Sequence, residues 1–131
     1  MNPTCDYNTL APALNAAAKE FGISTNRQIR HWIAHLSVES GYFLHFEENL
    51  SYSAQRLTQV WPKRFPAIHD AEAYARNPVQ LANKVYGGRM GNTELNDGYK
   101  YRGRGFVQLT GKDNYDRVGN ALGIDLVGNP D

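Results

Sequence analysis

Cysteine is nearly absent from this chain. Cys5 stands alone near the start, so no disulfide can form within the chain and nothing points to a secreted, stapled scaffold. A reducing compartment suits that composition. Neither charge is in surplus: 14 Lys and Arg stand against 13 Asp and Glu, a formal net charge of +1. Such a balance supplies no general pull toward nucleic acid or an anionic membrane. Long apolar runs are missing too. No segment approaches the roughly 18 apolar residues of a membrane span, and the opening MNPTCDYNTL has no basic stretch followed by an apolar one. The expectation is a protein made in the cytoplasm without its own export signal, with no nucleic-acid partner and no membrane insertion.

What is present fits one globular domain over residues 1–131, at 41% hydrophobic and 21% charged residues. Periodicity predicts a mainly α fold with little or no sheet. A first helix is expected from Asn8 to Phe21, with Leu10, Leu14, Ala17 and Phe21 on one face and Gly22 closing it. A second starts at an N-cap of Ser24 or Thr25, carries Ile29, Trp32, Ile33 and Leu36 inward, and stops at Gly41. Glu39 therefore falls in its last turn. The stretch YFLHFEE that follows reads as extended, which puts Glu48 in a connection. Ser53 caps a short helix that Pro62 stops. Asp70 opens another helical stretch, Asn77 and Pro78 restart it, and Gly87 with Gly88 ends it after Leu81, Ala82 and Val85. From Arg89 to Gly105 a long Gly-rich loop is expected, and a last helix from Lys112 to Leu122.

The chemistry centres on carboxylates. On a helix, Glu39 shares a face with Trp32, His35 and Leu36. A carboxyl beside Trp and Leu loses solvation when charged, which favours the proton a general acid must hold. Glu48, flanked by Glu47, Asn49 and Ser51, sits in a polar setting suited to a base. Two carboxyls in unlike environments are the recurring design of glycoside hydrolysis, although ordinary surface glutamates would read the same way from spacing alone. His31, His35 and Glu39 are also spaced by four as metal ligands might be, but the acidic base of an H-E-x-x-H site is lacking, so neither metal nor cofactor is expected. In YRGRGFVQLTGKDNY, Gly103 and Gly105 allow close backbone approach while Arg102 and Arg104 project from it. If that segment is extended, Gln108 and Thr110 turn to one side as a sugar-binding edge; the alternative is a turn before a helix capped by Thr110.

Together HLSVESGYF, FEENLSYSA, YARNP, VYGGRMGN and YRGRGFVQLTGKDNY resemble family 19 glycoside hydrolases of the phage endolysin type. The resemblance implies a lysozyme-like helical fold and a glycosidase that inverts at the anomeric carbon. It implies Glu39 as general acid, Glu48 as general base, and Thr110 as a holder of the attacking water. Gln108 and Asn114 match substrate-side polar positions, and Tyr101, Arg104 and His35 are further residues expected near the sugar. The endolysin branch suggests peptidoglycan, with action at the bacterial wall after release, and the plant-like branch suggests chitin. Members of the family continue past this length, so a C-terminally truncated catalytic domain is expected, with Asn129-Pro130-Asp131 as a stranded helix start. Such a fragment could bind glycan without cutting it, or self-associate through an uncovered face bearing Leu109, Tyr115, Val118 and Leu122.

Overall fold

The computed structural model describes residues 6–131, and Cys5 lies outside them. Among the described residues the chain is mainly helical and holds no sheet, only isolated bridges between Glu47 and Arg104 and between Arg104 and Leu109. No described helix is long and apolar enough to cross a membrane. The residues fall into two compact units.

The first unit comprises residues up to Phe46 together with Gly105–Val107. It holds α1 (Tyr7–Glu20), where the Asp6 side chain accepts from Thr9 N, and α2 (Asn26–Glu39). The start of α2 is a capping box: Thr25 Oγ1 accepts from Gln28 N at 3.2 Å, and Gln28 Oε1 accepts from Thr25 N at 3.0 Å. The apolar faces are only partly covered. Helix α1 buries no residue, and Phe21, on the apolar face the sequence shows, is 64% exposed. In α2 only Leu36 is buried, while Trp32 and Ile33 are half-buried and Ile29 is exposed. Periodicity says which face of a helix is apolar, not what covers it. After α2 the chain does not run extended. Gly41, Tyr42 and Phe43 all take left-handed φ, at 56°, 64° and 64°, a costly conformation for two aromatic residues. Buried Ser40 braces that turn, donating to Leu36 O at 2.6 Å and accepting from Phe43 N at 3.0 Å. Phe106 then meets Phe43 and Phe46 edge-on, with centroids 5.7 and 5.1 Å away.

The second unit spans Glu47–Arg104 and Gln108–Asp131. Its elements are α3 (Ala54–Val60), α4 (Ile68–Ala71) running into a 3-10 turn (Glu72–Tyr74), α5 (Pro78–Tyr86), α6 (Asp97–Lys100) and α7 (Lys112–Leu122). Ser53 and Asn77 cap α3 and α5 through their side chains, as the sequence predicts. The expected long loop is interrupted by α6, whose Gly98 lies so close to α5 that an added Cβ would come within 2.6 Å of Ala82 O. Leu50, Leu57, Phe65, Ala71, Leu81, Ala82 and Val85 form the core, and complete burial of a large apolar side chain contributes roughly 1.5–3 kcal/mol. A second buried pair lies nearby in sequence terms: Tyr101 and Tyr115 meet with centroids 5.4 Å apart and are each 1% exposed. Tyr115 is therefore not part of an exposed apolar face. Of the four residues expected there only Leu122 is exposed.

Candidate active site

Glu39 is the last residue of α2, placed there because Gly41 and the left-handed residues after it cannot continue the helix. Its side chain is 50% exposed, with His35 Nε2 3.9 Å from Oε1 and itself 71% exposed. The desolvation expected from Trp32 and Leu36 does not form. Leu36 turns into the unit while Glu39 faces water, and a solvent-exposed pair with His35 at that distance is weak. His31 does not join them: among the described residues no three His, Cys, Asp or Glu side chains converge as metal ligands.

Glu48 has the opposite surroundings. Its Oε1 accepts from Gly103 N at 2.5 Å and its Oε2 from the Tyr86 hydroxyl at 2.7 Å. Its own N–H donates to Gly103 O at 2.9 Å. A carboxylate held at both oxygens has a fixed plane and a lone pair on each oxygen still to offer. The Tyr86 phenol is pushed above the ordinary tyrosine range, first by burial and then by the bond to Glu48, so it stays a donor. Neighbouring Glu47 is engaged elsewhere. Its carboxylate pairs with Arg102 Nε, and the Arg102 guanidinium lies 4.2 Å from the Tyr99 ring centroid. Burial, the largest single influence, would weaken the Arg102 charge, but the Glu47 bond and charge together with Tyr99 and Asp131 outweigh it and hold the guanidinium proton more firmly than usual.

Gly103 is where the predicted residues meet. A Cβ there would sit 2.9 Å from Gln108 Oε1, 3.1 Å from Thr110 Oγ1 and 3.3 Å from Glu48 Oε1. Three oxygens thus pack against the Gly103 backbone more closely than a methyl group would tolerate, and they can converge because residue 103 lacks a side chain. The approach is not made by an extended strand. Arg104 and Leu109 exchange both backbone bonds, at 3.1 and 2.8 Å, and Gln108 takes a left-handed φ of 52°. That turn, not a two-residue register, brings Gln108 and Thr110 together. Thr110 does not cap α7: its hydroxyl donates to Gln108 O at 2.9 Å, and buried Asn92 Oδ1 accepts from Lys112 N at 3.0 Å instead. Asn114 lies beside this group, its Nδ2 donating to Thr110 O at 2.8 Å.

Two expected sugar contacts are committed to the fold. Tyr101 is buried, and its hydroxyl donates to Val127 O at 3.1 Å. Arg104, with 13% of its side chain exposed, donates to Lys100 O at 2.7 Å, Tyr115 Oη at 3.0 Å and Asp131 Oδ1 at 2.5 Å. Alternation of Gly and Arg signals backbone approach, but it does not say that the arginines turn inward. Tyr86 and Asn92 had gone unmarked in the sequence, since no local period links residue 86 to residue 48.

A family model for glycoside hydrolase family 19, described as chitinase class I, matches residues 82–131. A glycosyl hydrolase family 19 domain-containing protein of Haemophilus influenzae is 41% identical over 116 residues, covering 87% of this chain and 58% of that relative. Chitinase 8 of Oryza sativa subsp. japonica is 71% identical over 31 residues, 24% of this chain and 12% of the plant protein. Acidic endochitinase Q of Nicotiana tabacum is 36% identical over 62 residues, 40% of this chain and 24% of its own length. The chain thus spans less than two thirds of each of these relatives.

Proposed function

We propose that this chain, which belongs to glycoside hydrolase family 19, hydrolyses β-1,4 bonds of an aminosugar polymer with inversion, using Glu39 as general acid and Glu48 as general base. The observation that carries the reading is the convergence of oxygens from Glu48, Gln108 and Thr110 beside Gly103. Three oxygens brought this close together can share one water molecule, which brings two protons. Glu48 takes one of them as the water oxygen attacks the anomeric carbon, and Thr110 and Gln108 hold the water in line. Glu39 gives its proton to the glycosidic oxygen as the bond to the leaving sugar breaks. Exposure of Glu39 leaves it open to a polymer. Asn114, next to Thr110, is a substrate-side residue in this reading, as is His35 beside Glu39.

Peptidoglycan is the preferred polymer, because the YARNP and GRMGN segments resemble the endolysin branch. Chitin is the second reading, supported by the short stretches of high identity to proteins named as chitinases. Mass spectrometry of products from purified peptidoglycan and from chitin oligomers tests both. Soluble muropeptides are expected from the first, and release from neither would overturn the hydrolase reading. Early-time NMR should show the α-anomer forming first, since a single displacement inverts the centre. Self-association through exposed Leu122 and Ile124 is a further part of the proposal, and a concentration-independent monomer by light scattering would remove it.

A further inference from the structure

Tyr86 ends α5, yet its hydroxyl reaches a carboxylate 38 residues earlier, donating to Glu48 Oε2 at 2.7 Å. Nothing about the residue is loose. The residue packs, half-buried, against the hydrophobic core of this unit, and its carbonyl accepts from Asn92 Nδ2 at 3.0 Å. Tyr52 and Arg89 are the other ionisable groups that act on its phenol. Glu48 Oε1 is held separately, by Gly103 N at 2.5 Å. The geometry points to Tyr86 as the positioning residue for Glu48, fixing the plane of the carboxylate so that Oε1 stays on Gly103 N beside Gln108 and Thr110.

The inference rests on the reading of Glu48 as the base and adds to it a second requirement. A carboxylate anchored through Oε1 alone can rotate about its Cγ–Cδ bond, because terminal bonds of this kind have broad, shallow wells. With the phenol on Oε2, rotation breaks a bond to a charged group. A tyrosine is suited to this task. Its proton is far harder to lose than that of a carboxyl, so the donor is not consumed when the base takes a proton from water. Burial strengthens that property.

The test pairs Tyr86→Phe with Glu48→Gln. Tyr86→Phe keeps the ring and its packing; it is expected to lower kcat about tenfold, in line with loss of one hydrogen bond to a charged group, while KM changes less than twofold. In the Glu48→Gln background the same substitution is expected to add no further loss, because the pair acts as a unit. The second readout needs no activity: the Tyr86 phenol, followed by 13C NMR at Cζ, should ionise at lower pH in Glu48→Gln than in the wild type. If Glu48→Gln retains wild-type turnover, the base assignment fails, and the phenol titration still reports the bond. If Glu48→Gln is inactive but Tyr86→Phe keeps wild-type kcat, or if the phenol titration does not move, the base stands and the role given to Tyr86 is overturned.

Discussion

Glu48 and Gly103 hold each other twice: the Glu48 N–H donates to Gly103 O at 2.9 Å, and the Gly103 N–H donates to Glu48 Oε1 at 2.5 Å. The same glycine fixes the carboxylate and, lacking a side chain, lets Gln108 and Thr110 come close beside it. Backbone conformation alone does not demand glycine here, since residue 103 is not among those with positive φ. Space does. Gly103→Ala would place a methyl 2.9 Å from Gln108 Oε1 and 3.1 Å from Thr110 Oγ1. We expect at least a hundredfold loss of kcat/KM with a folded protein, checked by lytic rate alongside circular dichroism. Wild-type turnover in this variant would show that the close approach of Gln108 and Thr110 to Glu48 is not used.

The two adjacent glutamates should separate cleanly. Glu48→Gln removes the proposed base and is expected to reduce turnover by a factor on the order of 100 or more, the usual weight of general base catalysis. Glu47→Gln only weakens the pair with Arg102, which keeps its bond to Tyr99 O at 3.0 Å and its place over the Tyr99 ring. Its turnover should fall less than about threefold, a prediction tied to the modest worth of a half-exposed pair. Steady-state kinetics on both variants decides. A greater loss in Glu47→Gln would mean that the neighbouring carboxylate is the base.

Glu39→Gln keeps the shape of the side chain and removes the proton to be donated. Turnover should fall by a factor on the order of 100 or more, while cosedimentation with cell walls stays unchanged. More than about a tenth of wild-type activity would count against Glu39 as the acid.

The parts of this arrangement legible from the sequence are those governed by local rules. Thr25, Ser53 and Asn77 announce their helices because a side-chain cap acts within three residues, and the buried faces of α5 follow a 3.6-residue period. Glu48, Gln108 and Thr110 could be named from motif resemblance, yet their convergence on Gly103 could not, since it depends on a left-handed Gln108 inside a turn. Arg104 shows the reverse failure. It looks like a projecting cation, but its partners Tyr115 and Asp131 lie 11 and 27 residues away, beyond the reach of any periodic reading. Ile29 was misplaced for a different reason, because an amphipathic pattern carries no information about the surface that would cover it.

Alkaline pH should unfold this protein partly through Tyr86. Its phenol is raised above the ordinary value of about 10, first by burial and then by Glu48. In the unfolded chain the proton leaves near pH 10, whereas the folded chain retains it, so above that pH the folded state binds more protons than the unfolded one. Stability from this group is therefore complete below pH 10 and lost as pH rises toward the folded value. Thermal melts from pH 8 to 11 should show a steeper alkaline fall in the wild type than in Tyr86→Phe. Parallel curves would mean that the phenol is no harder to ionise in the folded protein.

Asn92 joins the two halves of the Glu48 surroundings and should be among the most sensitive polar positions. It is 1% exposed, its Nδ2 donates to Tyr86 O at 3.0 Å, and its Oδ1 accepts from Lys112 N at 3.0 Å. One amide thus closes the end of α5 and opens α7, whose N-cap, Gly111, has no side chain to offer. Asn92→Ala leaves a helix-terminal carbonyl and a helix-terminal N–H without these partners, and each buried group so stranded costs about 1–3 kcal/mol. A loss of about 2–6 kcal/mol in urea unfolding is expected on that basis. Asn92→Asp discriminates between the two bonds. The carboxylate can still accept from Lys112 N, where negative charge also suits the start of α7, but it cannot donate to Tyr86 O. If Tyr86 is held through its carbonyl, Asn92→Asp should keep α7 intact by amide exchange at Lys112–Tyr115 while kcat falls toward that of Tyr86→Phe. Full activity in Asn92→Asp would show that the Tyr86 ring alone, packed on its core, is enough to hold the hydroxyl against Glu48.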